Sequence, residues 1–143
     1  MKEMLITIIG AIGSAVAYLF GGWDNAMISL IAFMAIDYVT GIIVAGVFKK
    51  SSKTKNGGLE SKAGFKGLCR KGAIILFVLV GHLLDVVLGA NYIRNAIIIA
   101  FMANELISIT ENAGLMGVPI PSVITKAIEI LKDKEKENGS KNI

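Results

Sequence analysis

The chain of 143 residues is poor in the side chains from which most protein chemistry is built. It has one cysteine (Cys69), one histidine (His82), one tryptophan (Trp23), two prolines, and charge on only 18% of its positions. A lone cysteine closes no internal disulfide, and its place in a basic segment suits a reducing compartment. A lone histidine excludes a His-rich metal site. The sequence has no HExxH, no CxxC, no Gly-rich phosphate loop following a strand and no Ser/His/Asp order. Neither enzymatic activity nor a bound cofactor is expected.

The scarcity of charge also excludes an ordinary soluble domain, in which about 25% of residues are charged. Hydrophobic residues make up 54% of the chain and the mean hydropathy is +0.66. This is more apolar surface than one small core can hide. Of the 26 charged side chains, nine lie in 49–71, nine in 126–141 and two at Lys2 and Glu3. The remaining six are Asp24, Asp37, Asp85, Arg94, Glu105 and Glu111, each isolated in an apolar run. Long apolar runs broken by single ionisable groups are the pattern of a membrane protein.

The runs predict an all-α, polytopic membrane protein of about four transmembrane helices, at 4–20, 26–48, 72–90 and 92–112, followed by a short amphipathic helix. The fourth carries Glu105 near its middle. It reads as a helix lining a polar cavity, with a helix lying on the membrane surface as the alternative. The membrane domain then covers 1–113. The region 114–143 begins with a break at Gly114, Gly117, Pro119 and Pro121. Ser122 is placed to cap the last helix, where Ile124, Ala127, Ile128 and Leu131 recur at helical spacing. The alternating charges of 132–137 read as solvated.

Orientation follows from the linker 49–71, where Lys49, Lys50, Lys53, Lys55, Lys62, Lys66, Arg70 and Lys71 stand against the single Glu60. Short basic loops stay inside, which puts the linker and both termini in the cytoplasm and the turns near Asp24 and Asn91 outside. These lysines are expected to touch anionic lipid, at about 1 kcal/mol per cation. With only Phe65 among them, they lack the aromatic residues that nucleic-acid binding uses. A competing reading of the start takes Lys2, the short apolar run and Ala15-Val16-Ala17 as a secretory signal with a cleavage site, leaving three spans.

A carboxylate near the middle of a span costs roughly 2.5–3.5 kcal/mol on insertion scales, so Asp37 must face protein or water. It lines a pore or packs against a neighbouring helix, with Gly41 and Ala45 on nearly the same face permitting close contact. In the first span Gly10, Gly13, Ser14 and Ala17 form a small-residue stripe suited to helix association, within one chain or between chains. His82 and Asp85 share a helix face at i, i+3, as a proton-holding pair or a packing pair. In the fourth span Asn104, Ser108 and Glu111 fall on one face, with Glu105 and Asn112 on its flank. Ile97, Ile98, Phe101 and Ile109 lie opposite, and the helix is expected to form a wall between lipid and water.

Four segments together resemble the phage-holin family of the toxin-secretion and phage-lysis type, found in Gram-positive bacteria and their phages. They are Asp37-Tyr38-Val39-Thr40-Gly41; Gly57-Gly58-Leu59-Glu60-Ser61 leading through Gly64, Gly67 and Leu68 to Arg70-Lys71; Asn104-Glu105-Leu106-Ile107-Ser108-Ile109-Thr110-Glu111-Asn112-Ala113; and Gly117-Val118-Pro119-Ile120-Pro121. The resemblance covers roughly residues 5–132, and the Asn-Glu-x-x-Ser-x-x-Glu-Asn run before Pro-x-Pro is its most specific part. It implies a protein of the cytoplasmic membrane that forms large homo-oligomers and opens a lesion, releasing a cell-wall hydrolase or a large toxin with no direct contact required. Members are often described with three spans, against the four counted above. The alternative function, from the residues, is a small ion channel or transporter of fixed stoichiometry using Asp37 or Glu105 as a coupling carboxylate. A membrane scaffold without a pore is a third.

Overall fold

The computed structural model describes residues 1–140, and Lys141 and the two residues after it lie outside the described residues. Helices account for most of the chain, and no strand occurs among the described residues. Four helices are long and apolar enough to cross a membrane: α1 (Lys2–Leu19), α2 (Asn25–Ile43, continued by a π-helical turn to Phe48), α3 (Ser61–Leu88) and α4 (Ile93–Leu115). A fifth, α5 (Ser122–Ser140), follows the Gly/Pro break. The chain is therefore a multi-pass all-α membrane protein with four spans.

Local chemistry explains the boundaries. Asp24 caps α2 by accepting from the Met27 amide at 2.9 Å. Gly89 ends α3 at φ +63°, a left-handed turn that glycine adopts without penalty. Helix α3 begins at Ser61, so the second half of the basic linker continues the third span as one helix. The first half, 49–60, is a loop closed by the Ser51 amide donating to the Gly57 carbonyl.

The core is small and belongs to three helices. Met27, Leu30 and Met34 of α2, Val78 of α3 and Ile98 of α4 are buried together, with Ile74, Ile97, Phe101 and Met102 packed around them. Ile98, placed by the sequence on the lipid side of α4, is fully buried instead, because α4 is the central helix and touches α2, α3 and α5. Helix α1 has no buried residue. Isoleucines and leucines exposed along α1, α2 and α3 form the apolar outer surface that a bilayer would cover.

Helix α5 is continuous through the charged run and turns back along α4. Ala127, Ile130 and Leu131 line a groove of about 370 Å³ with Met102 and Leu106 of α4 and Ser29 and Phe33 of α2, and Ile128 is buried.

Helices α3 and α4 approach most closely at Gly81. A Cβ there would lie 2.7 Å from Ile97 Cδ1 and 3.1 Å from the Arg94 Cα, which is backbone and cannot step aside. Gly81→Ala is expected to destabilise the purified protein by about 1–3 kcal/mol in denaturant titrations. Gly72→Ala, with open space around it, is expected to be neutral or slightly stabilising.

Candidate functional site: an ionic cluster inside the bundle

The site begins with three ionisable side chains that the sequence distributes over three spans. Helix α2 turns Asp37 inward, α4 turns Glu105 inward, and α3 brings Lys71 between them. The Lys71 Nζ lies 2.8 Å from Asp37 Oδ2 and 2.6 Å from Glu105 Oε2. All three side chains are largely screened from solvent. Asn112, also buried, donates from Nδ2 to Asp37 Oδ1 at 3.2 Å, to the Asp37 carbonyl at 3.3 Å and to Thr40 Oγ1 at 2.9 Å. Ser108 lies against the same carboxyl. Two carboxylates thus share one cation and a cradle of neutral donors, which removes the cost of exposing any of them to hydrocarbon.

Lys71 was grouped by sequence with the lipid-facing lysines, and the structure corrects that. Because α3 starts at Ser61, eleven residues before the expected start at 72, Lys71 is on its inner face, whereas Lys49, Lys50, Lys53, Lys55, Lys62, Lys66 and Arg70 are exposed. A cavity of about 320 Å³ beneath the linker reaches Asp37, Lys71 and Glu105. Its walls include Lys53, Lys66 and Arg70 beside the apolar Ile42 and Ile74.

The polar face of α4 is also rotated from the expected one. Glu105 and Asn112 are buried, Ser108 is half-buried, and Asn104 and Glu111 are exposed. The inward stripe therefore follows 105–108–112, because the ion pair with Lys71 and the hydrogen bonds to α2 fix the helix in that rotation. Gly41 and Ala45 are likewise used inside the chain. Ala45 is buried and Gly41 faces Asn112, so they do not form an outward stripe. The α1 stripe is divided: Gly10 and Ser14 are exposed, Gly13 and Ala17 are half-buried, and a Cβ on Gly10 or Gly13 would meet nothing within 4 Å.

A second cluster at the opposite end was missed in the sequence. Arg94, buried in the first turn of α4, donates from Nε to the Phe20 carbonyl and from Nη2 to the Gly22 carbonyl at 3.1 Å. It also pairs with Asp24 at 2.8 Å. This one side chain ties the α1–α2 turn to α4. Asp85 does not pair with His82. Its carboxylate accepts from the Ile93 and Arg94 amides at 2.9 and 3.0 Å, capping α4 from the end of α3. His82 sits against Gly21, where a Cβ would lie 2.7 Å from Nδ1. Among the described residues no group of His, Cys, Asp and Glu is placed to hold a metal ion.

Two outcomes are expected. Lys71→Met leaves two facing carboxylates buried and should cost about 3–5 kcal/mol in denaturant titrations, whereas adding Asp37→Asn and Glu105→Gln should restore most of the loss. At the α1–α2 turn, the hydrogen bond from Arg94 holds the Asp24 carboxyl below its ordinary value. A lowered carboxylate stabilises the fold above the ordinary value, about pH 3.9, and loses that contribution as the pH falls through the lowered one. The emission of Trp23, beside Asp24, should report a transition there on acidification that Asp24→Asn abolishes.

The sequence model of the bacteriophage holin family matches residues 14–133. A protein of Bacillus phage phi105 named a probable holin is 33% identical over 127 residues, covering 88% of this chain and 87% of its own. An uncharacterised protein of Listeria monocytogenes is 38% identical, covering 91% of this chain and 88% of its own. An uncharacterised 14.9 kDa protein of Clostridium perfringens is 36% identical over 89% of this chain and 92% of its own. No solved structure matches at a significant level. With the family match spanning residues 14–133 of a chain with four candidate spans, the chain belongs to the bacteriophage holin family.

Proposed function

We propose that this protein is a holin that assembles as a homo-oligomer in the cytoplasmic membrane and opens a lesion there. Through that lesion a cell-wall hydrolase, or in a toxin-producing host a large toxin, leaves the cytoplasm. The family and the probable holin of phage phi105 support the holin role. The observation that carries the assembly step is α1. It is a whole apolar span with no buried residue, held to the rest of the chain mainly at its outer end, with Gly10 and Ser14 exposed and open space where a Cβ on Gly10 or Gly13 would lie. A helix so free of intrachain contacts is available to pack against another copy, and small residues allow the close backbone approach on which association in lipid depends.

In this reading each chain inserts with its membrane-depth charges partnered internally. Lys71 holds Asp37 and Glu105, and Asp85 is spent on the α4 amides. Chains associate through α1, and a large enough assembly turns the polar cavity beneath the linker, with Asp37 and Glu105 in its wall, toward water. The basic linker and both termini of the inserted chain face the cytoplasm, as short Lys-rich loops do.

Expressed in a bacterium beside a wall hydrolase that lacks its own export signal, the chain is expected to halt growth abruptly and release the hydrolase into the medium. A selective channel would pass ions and retain the enzyme, and a scaffold would do neither. Gly10→Ile with Gly13→Ile is expected to delay or abolish release at an unchanged membrane level. Unchanged timing would remove α1 from the assembly.

A further inference from the structure

We propose that the groove between α2 and α4 is a docking site for α5 that is filled only where the outer face of α5 meets water, so that the docked helix lines the lumen of the assembly. The inference rests on the lesion reading above and assigns the lumen wall to a particular helix.

The geometry leading to it is the depth that α5 reaches. Ala127, Ile130 and Leu131 share the groove with Met102, Leu106, Ser29 and Phe33. Met102 is 13 residues before the end of α4 at Leu115, and Ser29 is four residues after the start of α2. At 1.5 Å per residue, Leu131 has therefore travelled about 20 Å back along α4, into the outer half of the membrane. The helix continues to Ser140, so on a straight course the run 132–137 extends beyond Leu131 in the same direction.

One face of α5 is apolar and seated, with Ile128 buried and Ile124 and Leu131 half-buried. Lys126 and Glu129 lie on the opposite side, and the six consecutive charges of 132–137 run around the whole helix; all eight are exposed. None of them forms an ion pair with α2 or α4. Beside a span, an exposed face borders either lipid or water. Hydrocarbon does not tolerate eight ionised side chains on a 19-residue helix, and the few apolar contacts in the groove cannot offset that cost. The docked position is thus compatible only with an aqueous space on the far side. In a chain surrounded by lipid, α5 leaves the groove for the cytoplasmic surface, where an amphipathic helix with basic residues is stable. The turn at 116–121, with Gly117 at φ +75° and both prolines exposed, permits the two positions.

The test uses the full chain with Cys69→Ser and nitroxides at Asn91→Cys, in the outer turn, and Lys136→Cys, on α5, spin-diluted with unlabelled chain. It is reconstituted in vesicles of phosphatidylglycerol and phosphatidylethanolamine loaded with fluorescent dextran. At dilute, non-leaking density the pair should be more than about 35 Å apart, the length of α4. At densities where dextran escapes, it should fall below about 20 Å. A short distance in tight, dilute vesicles overturns the inference, as does a long distance in leaking ones, which leaves the lesion reading intact. Dextran retained at every density overturns both.

Discussion

The fold depends on a single lysine shared by two carboxylates inside an apolar bundle. Ions cannot be left against hydrocarbon, so Asp37, Lys71 and Glu105 must meet, and their meeting fixes the rotation of three spans at once. The apolar core could not do this alone. It comprises Met27, Leu30, Met34, Val78 and Ile98, and lipid tails are as apolar as these side chains, so burial supplies little drive for one rotation over another. Asn112 reinforces the choice by joining α4 to both the backbone and the carboxyl of Asp37. Removing polar groups from lipid, rather than from water, is what organises this protein.

The same principle divides the molecule. Helices α2, α3 and α4 are bound by polar contacts at both ends, with the Lys71 cluster toward one side of the membrane and the Asp85 cap and Arg94 bonds at the other. Helix α1 is fastened mainly through Arg94 at the α1–α2 turn, and α5 rests by one apolar face in a shallow groove. A three-helix body with two loosely held helices suits a protein that must be stable as an inserted chain and then change its neighbours. The proposed assembly uses the loosely held parts and leaves the ion cluster as the hinge-free centre.

Much of this was legible in the sequence, for physical reasons that also mark where legibility ended. The spans were readable because charge is excluded from lipid-facing runs, and α2, with Asp37 alone between Asn25 and Phe48, was the clearest. The depth of Asp37 and Glu105 announced that both needed partners. Their partner was hidden because Lys71 closes a dense basic segment, and nothing in that segment tells that the helix begins at Ser61. The available signal was stoichiometric: two carboxylates at depth call for a cation, and Lys71 is the one nearest the apolar run. Arg94 and Asp24, the single charges near the α3–α4 and α1–α2 turns, could have been paired by the same reasoning. The rotation of α4 was beyond helical spacing alone, since steps of three and four place Asn104 and Glu105 on adjacent faces and only tertiary partners choose between them. The family resemblance had no such limits, because it rests on ordered motifs spread across the chain.

The central claim is that the assembled chain opens a hole large enough for folded protein. It is tested most directly by recording potassium efflux and the escape of a folded cytoplasmic reporter in one culture after induction. The account predicts that both begin together, abruptly, after a silent interval. Potassium leaving gradually while the reporter stays inside would contradict it.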